Sequence, residues 1–306
     1  MARFHIPGAG FFMWLLDEHL TKIMLRIAIQ AKGRLSEESL ELLREAGIEV
    51  DDSKRKFLSR SSSFPAEILY LRDDDIPQAV SQGVADLGIV GYNEVCERGE
   101  DVEVVDRLGF GACRISLAIP KAEEYSGLEY FNGRRIATSY PNILGKFLKD
   151  NGIDAKINVI AGSVEIAPTV GMSDAIFDIV SSGGTLVSNG LKEVEKVVLS
   201  EAVLVANKSL SEEKSGLLDQ IKFRFNAVKE SRGKKYLLMN IPNDRIEDAI
   251  RIVPAMRSPT VLPLAQSGWS SLHSVVDESV LWEKIESLKK IGAEGILVLS
   301  VEKMVL

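Results

Sequence analysis

Apolar and polar residues follow two periods along most of the chain. From Leu25 onward, short runs of aliphatic residues typical of buried strands alternate with stretches that repeat an apolar residue every three or four positions, as helices do. The first such unit predicts a strand over residues 25–29 and a helix over residues 37–46, with Ser36 as its N-cap. Because strand and helix keep alternating, the pattern predicts an α/β fold with a parallel sheet and helices on both sides.

The same pattern divides the chain into parts. It predicts a second α/β lobe over about residues 113–194 and a first lobe that combines residues 24–112 with about 195–230. The first lobe is completed by a strand predicted over residues 197–206, which returns the chain to it. Over residues 231–306 the predicted order of strand, helix, strand, strand, helix and strand is that of a ferredoxin-like module.

An acidic residue followed by a hydroxyl and glycine turn is the most informative local feature. Residues 174–180 form an apolar, strand-like stretch that contains Asp178. The turn after it consists of Ser181, Ser182, Gly183, Gly184 and Thr185. Such a turn lets main-chain N–H groups and hydroxyls converge on one anion, whereas a carboxylate beside it suits ribose hydroxyls or a magnesium ion. The stretch predicts a ribose 5-phosphate site, with an ordinary strand-to-helix turn as the alternative.

Composition narrows the classes of function. The chain of 306 residues has a net charge of −7, which argues against a nucleic-acid binder or a protein of anionic membranes. Two cysteines, Cys96 and Cys113, lack the spacing of a zinc site or a disulfide framework, so the cytoplasm is the expected compartment. With three histidines in the sequence, we expect the chemistry to come from carboxylates, Lys, Arg and main-chain dipoles.

Residues 1–23 stand apart from this pattern. They contain an apolar stretch that is too short to span a bilayer, with Arg3 as the one basic residue before it. Because a strong strand pattern starts beside Met24, we interpret residues 1–23 as an N-terminal extension. A membrane or targeting role is the alternative.

Candidate ligand residues also occur in the predicted first lobe. Lys32 and Arg34 flank Gly33 on the loop after the first strand, where cations can reach phosphates and the glycine allows close main-chain approach. Asp86 and Gly91 bracket the apolar strand of residues 87–90 and are candidates for an ATP site. The alternatives are a solvated Lys/Arg pair, a strand-entry acid and a glycine that relieves crowding.

Three further residues are weaker candidates. Tyr140 precedes Pro141 and is a candidate for stacking on adenine, with core packing as the alternative. Asp75, in an acidic turn, is expected to cap a short helix over residues 77–82. Glu165 is either a proton acceptor for the adenine amino group or a surface carboxylate, so no general base is assigned.

Six motifs in one order resemble the ATP phosphoribosyltransferase family, and the resemblance covers residues 24–306. The turn departs from the usual phosphoribosyl pyrophosphate motif, because Phe177 and Asp178 stand where that motif has two acids. A C-terminal module with Ser258 and Gly295 matches the long form of the family. The motifs are residues 31–35, 72–77, 86–91, 135–141, 162–168 and 178–186.

The resemblance implies a fold and a reaction. The fold is a two-lobed, periplasmic-binding-protein-like catalytic region followed by a C-terminal ferredoxin-like α+β regulatory domain. The reaction joins N1 of the ATP adenine to C1 of phosphoribosyl pyrophosphate, which gives N1-(5-phospho-β-D-ribosyl)-ATP and pyrophosphate in the first step of histidine biosynthesis. It further implies Mg²⁺ carried by the substrate phosphates, histidine as an inhibitor, and a homo-oligomer between dimer and hexamer.

The resemblance and the local patterns together assign roles to residues. Catalytic roles are expected for Lys32, Arg34 and Asp178. Phosphoribosyl pyrophosphate is expected at Asp178 and the turn of residues 181–185. The expected ATP site comprises Lys32, Gly33, Asp86, Gly91 and Tyr140, and the expected histidine site comprises Ser258, Thr260, Gly295 and Leu297. No metal ligand is assigned.

Two other functions fit a two-lobed chain. A solute-binding protein would clasp a small molecule without catalysis, but a secretion signal or lipid anchor would be expected for it. A catalytically inactive relative would bind nucleotides only. The joint presence of Lys32, Arg34, Asp178 and Thr185 argues against that second alternative.

Overall fold

The chain divides into two units, one ending at Ile221 and the other covering Lys222–Leu306, in a computed structural model that describes residues 24–50, 57–255 and 257–306. The division falls inside a long helix, Glu212–Ser231, and the predicted boundary at residues 230 and 231 lies further along that helix. The predicted extension of residues 1–23 lies outside the described residues.

The first unit contains two sheets, each the centre of one lobe. Its strands are β1 (Leu25–Gln30), β2 (Leu58–Arg60), β3 (Ala66–Leu71), β4 (Leu87–Gly91), β5 (Val102–Arg107), β6 (Cys113–Pro120), β7 (Arg135–Thr138), β8 (Lys156–Val159), β9 (Ala175–Val180), β10 (Leu191–Ser200) and β11 (Ala202–Asn207). The first sheet has the order β2-β3-β1-β4-β11-β5 and the second has the order β10-β6-β9-β7-β8.

Helices of the first unit connect and cover these strands. They are α1 (Arg34–Glu45), α2 (Ile76–Ser81), α3 (Tyr92–Arg98), α4 (Pro141–Asp150), α5 (Gly184–Ser188) and the first part of α6 (Glu212–Ser231), which continues into the second unit. Helix α1 buries Ser39, Leu42 and Leu43 on one face, which is the spacing that the sequence pattern predicts. In the second lobe Ile115, Phe177 and other apolar residues from β6, β7, β9 and α4 form one core.

The two-lobed α/β fold is confirmed, but the sheets are mixed and not purely parallel. Strands β3, β1 and β4 are parallel, whereas β11 is antiparallel to both β4 and β5. In the second sheet β6 is antiparallel to β9 and β10. Two of the reversed strands, β6 and β11, are the strands that follow a passage of the chain between the lobes, after β5 and after β10. The third, β2, is antiparallel to its neighbour β3 within the first lobe.

Two local predictions were wrong. The strand predicted over residues 197–206 divides at Glu201: β10 stays in the second sheet and β11 joins the first. Helix α1 begins at Arg34 and not at the predicted cap Ser36, because Gly33 occupies the N-cap position with a φ of 98°, a conformation that favours glycine. Asp75 does precede α2 as expected, but it makes no side-chain capping bond.

The second unit has the predicted ferredoxin-like order. It contains β12 (Lys234–Pro242), α7 (Ile246–Ile252), β13 (Thr260–Pro263), β14 (Trp269–Asp277), α8 (Leu281–Lys290) and β15 (Glu294–Ser300). The four strands form an antiparallel sheet in the order β13-β14-β12-β15. Leu237, Met239 and Leu272 of the sheet are fully buried in one core with residues of α7 and α8, so the helices cover one face of the sheet.

Candidate active site

A cleft of about 340 Å³ lies between the two lobes of the first unit. On the first lobe it borders the carboxyl ends of β1 and β4, the edge at which parallel α/β sheets bind ligands. On the second lobe it borders the end of β9 and the start of β6. The lining residues are Gln30, Gly33, Arg34, Leu35, Glu38, Asp73, Gly91, Asn93, Glu94, Gly111, Ala112, Cys113, Ile179 and Ser181.

The predicted phosphate turn reaches the second-lobe side of this cleft through Ser181, its first residue. Ser181, Ser182 and Thr185 are exposed, and helix α5 begins at Gly184. Gly183 has a φ of 82°, which an L side chain would adopt only with strain. The structure therefore presents the hydroxyls of the turn to solvent around a glycine that gives the turn its shape.

Arg114 holds the start of the turn. Its Nη1 donates to the main-chain oxygen of Ser181 at 2.9 Å, while its Nη2 donates to Glu193 at 2.6 Å. The guanidinium is therefore fixed by a neighbouring strand and in turn fixes the carbonyl group of Ser181. Arg114 is not among the predicted site residues, because its contact depends on the pairing of β6 with β9 and not on a local motif.

Asp178 is partly buried on β9, three positions before Ser181, and its neighbour Ile179 lines the cleft while Asp178 itself does not. Its Oδ1 accepts the N–H of Ile179 at 2.8 Å. Burial raises the pKa of Asp178 to about 6, and the charge of Glu165 contributes in the same direction. At neutral pH the group is still mostly ionised, so it can accept hydrogen bonds from a diol.

The loop before α1 forms the opposite side of the cleft. Lys32, Gly33 and Arg34 are all exposed, and the last two line the cleft. The Nε of Arg34 donates to Oε1 of Glu38 at 3.0 Å. The Oε2 of Glu38 is buried and has no hydrogen-bond partner among the described residues. The loop thus carries cationic side chains at the cleft, and the Glu38 carboxylate contacts Arg34.

The structure separates the two residues predicted to bracket β4. Gly91 lines the cleft, and a Cβ there would lie 2.4 Å from Oδ1 of Asn93, so the glycine makes room for that side chain. Asp86 lies at the other end of the strand, where it accepts the N–H of Arg26 at 2.8 Å and the Nζ of Lys214 at 2.7 Å. The geometry gives no support to Asp86 as an ATP contact, because its carboxylate serves an ion pair at the edge away from the cleft.

Tyr140 is buried, and its ring belongs to the second-lobe core. Its hydroxyl accepts from Nδ2 of Asn93 at 3.3 Å and is hydrogen bonded to Glu94. Burial raises the pKa of Tyr140, and the charges of Glu94 and Asp178 act in the same direction. The geometry therefore favours a hydrogen-bonding role for the hydroxyl over adenine stacking by the ring.

Asn93 and Glu94 are cleft residues that the sequence analysis missed. Both are buried at the start of α3, and Nδ2 of Asn93 donates to Oε1 of Glu94 at 2.9 Å. Burial raises the pKa of Glu94 to about 7, with the charge of Asp73 adding to the effect. The signal in the sequence that could have identified them is a polar pair close after the buried strand β4.

Comparisons with known proteins bear on the whole chain. The family profile described as ATP phosphoribosyltransferase matches residues 72–227, and the profile of its C-terminal domain matches residues 231–303. The chain belongs to the ATP phosphoribosyltransferase family. Because the C-terminal domain matches as well, it is a long-form member.

Individual relatives agree with that assignment. The ATP phosphoribosyltransferase of Bacteroides fragilis is 61% identical over 283 residues, which are 92% of this chain and 100% of the relative. That of Bacteroides thetaiotaomicron is 60% identical over 282 residues, again 92% of this chain and 100% of the relative. Among solved structures, an ATP phosphoribosyl transferase (HisG:HisZ) complex from Thermotoga maritima matches with a TM-score of 0.57 and 27% identity, over 66% of this chain and 98% of that chain.

The C-terminal domain of this family member contains a separate cavity of about 520 Å³. Ser258 and Thr260 line it together with His273, whose Nδ1 lies 2.7 Å from the hydroxyl of Tyr236. Gly295 and Leu297 lie on β15, at the opposite edge of the sheet from β13. Three strand spacings, about 14 Å, separate the two edges. The structure thus does not bring together the four residues predicted to form one histidine site.

Two kinds of feature are absent from the described parts of the chain. No helix there has both the length and the apolar character needed to cross a membrane. Within the same residues, no group of three or more His, Cys, Asp or Glu side chains is arranged to hold a metal ion.

Proposed function

We propose that this chain catalyses the transfer of a phosphoribosyl group from phosphoribosyl pyrophosphate to N1 of the ATP adenine, the first step of histidine biosynthesis. The observation that carries the proposal is a cleft lined on one side by Gly33 and Arg34 and on the other by Ser181, the first residue of the turn that follows the strand of Asp178. The names of relatives about 60% identical over most of this chain support it. We place the reaction in the cytoplasm, in line with the cysteine content.

The turn and Asp178 hold the sugar in this proposal. Ser181, Ser182 and Thr185 would bind the 5-phosphate with their hydroxyls and with nearby main-chain N–H groups. The Asp178 carboxylate would accept hydrogen bonds from the ribose hydroxyls. When N1 attacks C1 and pyrophosphate departs, positive charge develops on the ribose ring, and the negative charge of Asp178, held at the ribose hydroxyls, would stabilise it.

The opposite loop receives the phosphates. Lys32 and Arg34 are exposed cations at the first-lobe side of the cleft, where they can bind the leaving pyrophosphate or the ATP triphosphate. Since both substrates are polyanions, their approach is favoured by these charges. Catalysis is then mainly a matter of holding N1 and C1 in line between the two lobes.

The residues of the cleft fit a divalent cation that arrives with the substrates. Burial and the charge of Glu165 raise the pKa of Asp178, and burial and the charge of Asp73 raise that of Glu94, so added positive charge near either carboxylate would be favourable. Asp178 is the residue that would share a magnesium ion with the ribose oxygens. When bound, the ion would neutralise charge on the pyrophosphate.

A direct assay tests the proposed activity. The purified chain is mixed with ATP, phosphoribosyl pyrophosphate and Mg²⁺, with pyrophosphatase present to pull the reaction forward. We expect the ultraviolet change of N1-substituted adenine, which requires both substrates. An inert chain across a range of magnesium and salt concentrations would contradict the proposal, and nucleotide binding without turnover would favour the two-lobed binding protein.

We further propose that histidine inhibits the enzyme through the C-terminal domain and that the protein forms a homo-oligomer between dimer and hexamer. Ser258 and Thr260 at the 520 Å³ cavity support the first part, because their hydroxyl and main-chain groups can meet the charged ends of an amino acid. Initial rates that stay unchanged up to millimolar histidine would refute inhibition. Light scattering would measure the oligomer.

A further inference from the structure

Helix α4 of the second lobe lacks a capping side chain of its own. Tyr140 occupies its N-cap position without a side-chain capping bond, and Pro141 in the first turn has no N–H group. The next two N–H groups, of Asn142 and Ile143, donate to the two carboxylate oxygens of Glu97, at 2.9 Å each. The Nδ2 of Asn142 also donates to the main-chain oxygen of Glu97 at 2.9 Å.

Glu97 belongs to the opposite lobe. It lies on α3, which directly follows β4 of the first sheet, and it is buried with 5% of its surface exposed. A carboxylate at a helix N-terminus satisfies free N–H groups and is favoured by the helix dipole. The cap of a second-lobe helix is thus supplied by a first-lobe helix, through three hydrogen bonds.

A second group of bonds lies on the same face of α3, one turn earlier. Asn93 precedes Glu97 by four positions, and helical residues at that spacing share a face. The Nδ2 of Asn93 contacts the Tyr140 hydroxyl, and its Oδ1 accepts from the hydroxyl of Ser200 at 2.8 Å. All three side chains are buried, so these bonds are shielded from competition by water.

These contacts lie between the two ligand-bearing edges. Gly91, at the first-lobe edge of the cleft, immediately precedes α3. Tyr140 follows β7, and β7 pairs with β9 at Thr138 and Phe177, the residue before Asp178. Helix α3 therefore links the two sides of the cleft through a short series of buried bonds. Glu97 itself does not line the cleft, so any effect on the reaction must pass through the parts it holds.

We propose that Glu97 is a positioning residue: by capping helix α4 from the opposite lobe, it sets the separation of the two sides of the cleft for phosphoribosyl transfer. The expected effect on kcat rests on the proposed function. The capping of helix α4 by Glu97 is independent of it. Because a misplacement of about 1 Å can reduce a rate by about 100-fold, loss of the cap should be expressed in kcat.

The kinetic test uses a graded pair of variants. Glu97→Gln keeps one acceptor oxygen and Glu97→Ala keeps none. We expect kcat to fall by about tenfold and about 100-fold respectively. The KM for phosphoribosyl pyrophosphate should stay within about twofold, because the turn of residues 181–185 lies wholly in the second lobe. The inference would be overturned if Glu97→Ala kept the wild-type kcat, or if the only change were a rise in the KM for phosphoribosyl pyrophosphate.

Glu67→Gln is the matched control. Glu67 is also buried, and its Oε1 accepts two bonds from Arg26, at 2.8 and 2.6 Å, inside the first lobe. This variant should lower the melting temperature comparably but leave kcat within about twofold, since no bond between the lobes is lost. If it reduced kcat as much as Glu97→Gln, the effect would be general destabilisation and the inference would fail.

Amide hydrogen exchange measures the cap directly. The N–H groups of Asn142 and Ile143 should exchange at least about tenfold faster in Glu97→Ala than in wild type, and at the wild-type rate in Glu67→Gln. Unchanged protection in Glu97→Ala would refute the cap. An inactive wild type would refute the proposed function alone, because exchange still tests the cap.

Asn142→Ala is the milder variant if Glu97→Ala does not fold. Asn142 is exposed, and the substitution removes one of the three bonds. It should lower kcat by about twofold to fivefold. No decrease would count against the inference.

Discussion

The proposed sugar-phosphate site on the second lobe is one continuous stretch, from Asp178 through Thr185, whereas the first-lobe side of the cleft depends on separate side chains on a loop and a helix. In the stretch, main-chain conformation places the ligand groups, and a positive φ at Gly183 shapes the turn. On the loop, Arg34 is 76% exposed and has one carboxylate neighbour, Glu38. On the second lobe the ligand groups are therefore placed by main-chain geometry, whereas on the first lobe they act through the charge of side chains.

The two sides also differ in energetic cost. Asp178 stays ionised at neutral pH although burial disfavours its charge, so the protein holds it there at the expense of stability. The exposed pair of Arg34 and Glu38 contributes little to stability. Substitutions on the two sides should therefore affect activity and stability in different proportions.

The largest effect is expected for Asp178→Ala. Without the carboxylate, the ribose loses its hydroxyl acceptor and the developing positive charge loses its counter-charge, so kcat/KM should fall about 10²–10³-fold. Asp174→Ala is the control, since Asp174 precedes the other end of β9 and pairs with Arg135 at 2.9 Å. Steady-state kinetics would check both. Comparable losses in the two variants would remove the special role of Asp178.

Arg34→Ala should have the next largest effect. Loss of a charge-assisted contact to substrate phosphates should raise KM about tenfold or more, with a smaller change in kcat. The difference from wild type should shrink at high salt, because the guanidinium is exposed. Arg44→Ala, at the other end of α1, should leave KM unchanged. If the rise in KM did not depend on salt, the charge of Arg34 would not be what binds substrate on this side of the cleft.

Gly183→Ala should have a smaller effect on binding. An L side chain at a φ of 82° costs about 1–2 kcal/mol, and displacement of the turn should raise the KM for phosphoribosyl pyrophosphate about fivefold. Gly190→Ala is matched, because Gly190 has a φ of 68° and open space around it but lies outside the turn. Both should lose stability on denaturant unfolding, and equal KM values would count against the turn as a phosphate site.

Asp178→Asn should give the smallest change, a gain in stability. The pKa of about 6 exceeds the ordinary 3.8, so the unfolding free energy falls as pH rises from about 4 to 6 and the cost persists above that range. At pH 7.5 the variant should be more stable by about 1–2 kcal/mol, allowing for partial exposure. Urea unfolding would measure the gain in stability at pH 7.5 and its disappearance at pH 4.

Asp174→Asn should do the opposite. The hydrogen bond from Arg135 lowers the pKa of Asp174, so its charge contributes stability that is present at neutral pH and lost as pH falls. A gain in stability at neutral pH in both Asp178→Asn and Asp174→Asn, or in neither, would contradict the energetic contrast between these two carboxylates.

Features that lie close together in sequence could be predicted, and those assembled across space could not. The turn after Asp178 and the ferredoxin-like module depend on local period and composition. Asn93, Glu97 and Arg114 bond to partners between 45 and 107 residues away, which no local pattern encodes. The mixed sheets escaped prediction for the same reason, since strand direction after a crossing depends on the other lobe.

Asp86 is a different case, because its placement could have been inferred. In a parallel sheet the ligand edge is at the carboxyl ends of the strands. That rule assigns Gly91, which ends β4, to the cleft, and it assigns Asp86, which precedes β4, to the opposite edge. Its position in a motif favours Asp86 as a site residue, but the direction of β4 places it at the edge away from the cleft.

A crystal structure of the chain with phosphoribosyl pyrophosphate and Mg²⁺ would test the central claim most directly. We expect the 5-phosphate within hydrogen-bond distance of the hydroxyls and N–H groups of residues 181–185, with the Asp178 carboxylate on the ribose hydroxyls. A sugar phosphate bound elsewhere, or an Asp178 side chain turned away from the ribose, would contradict it.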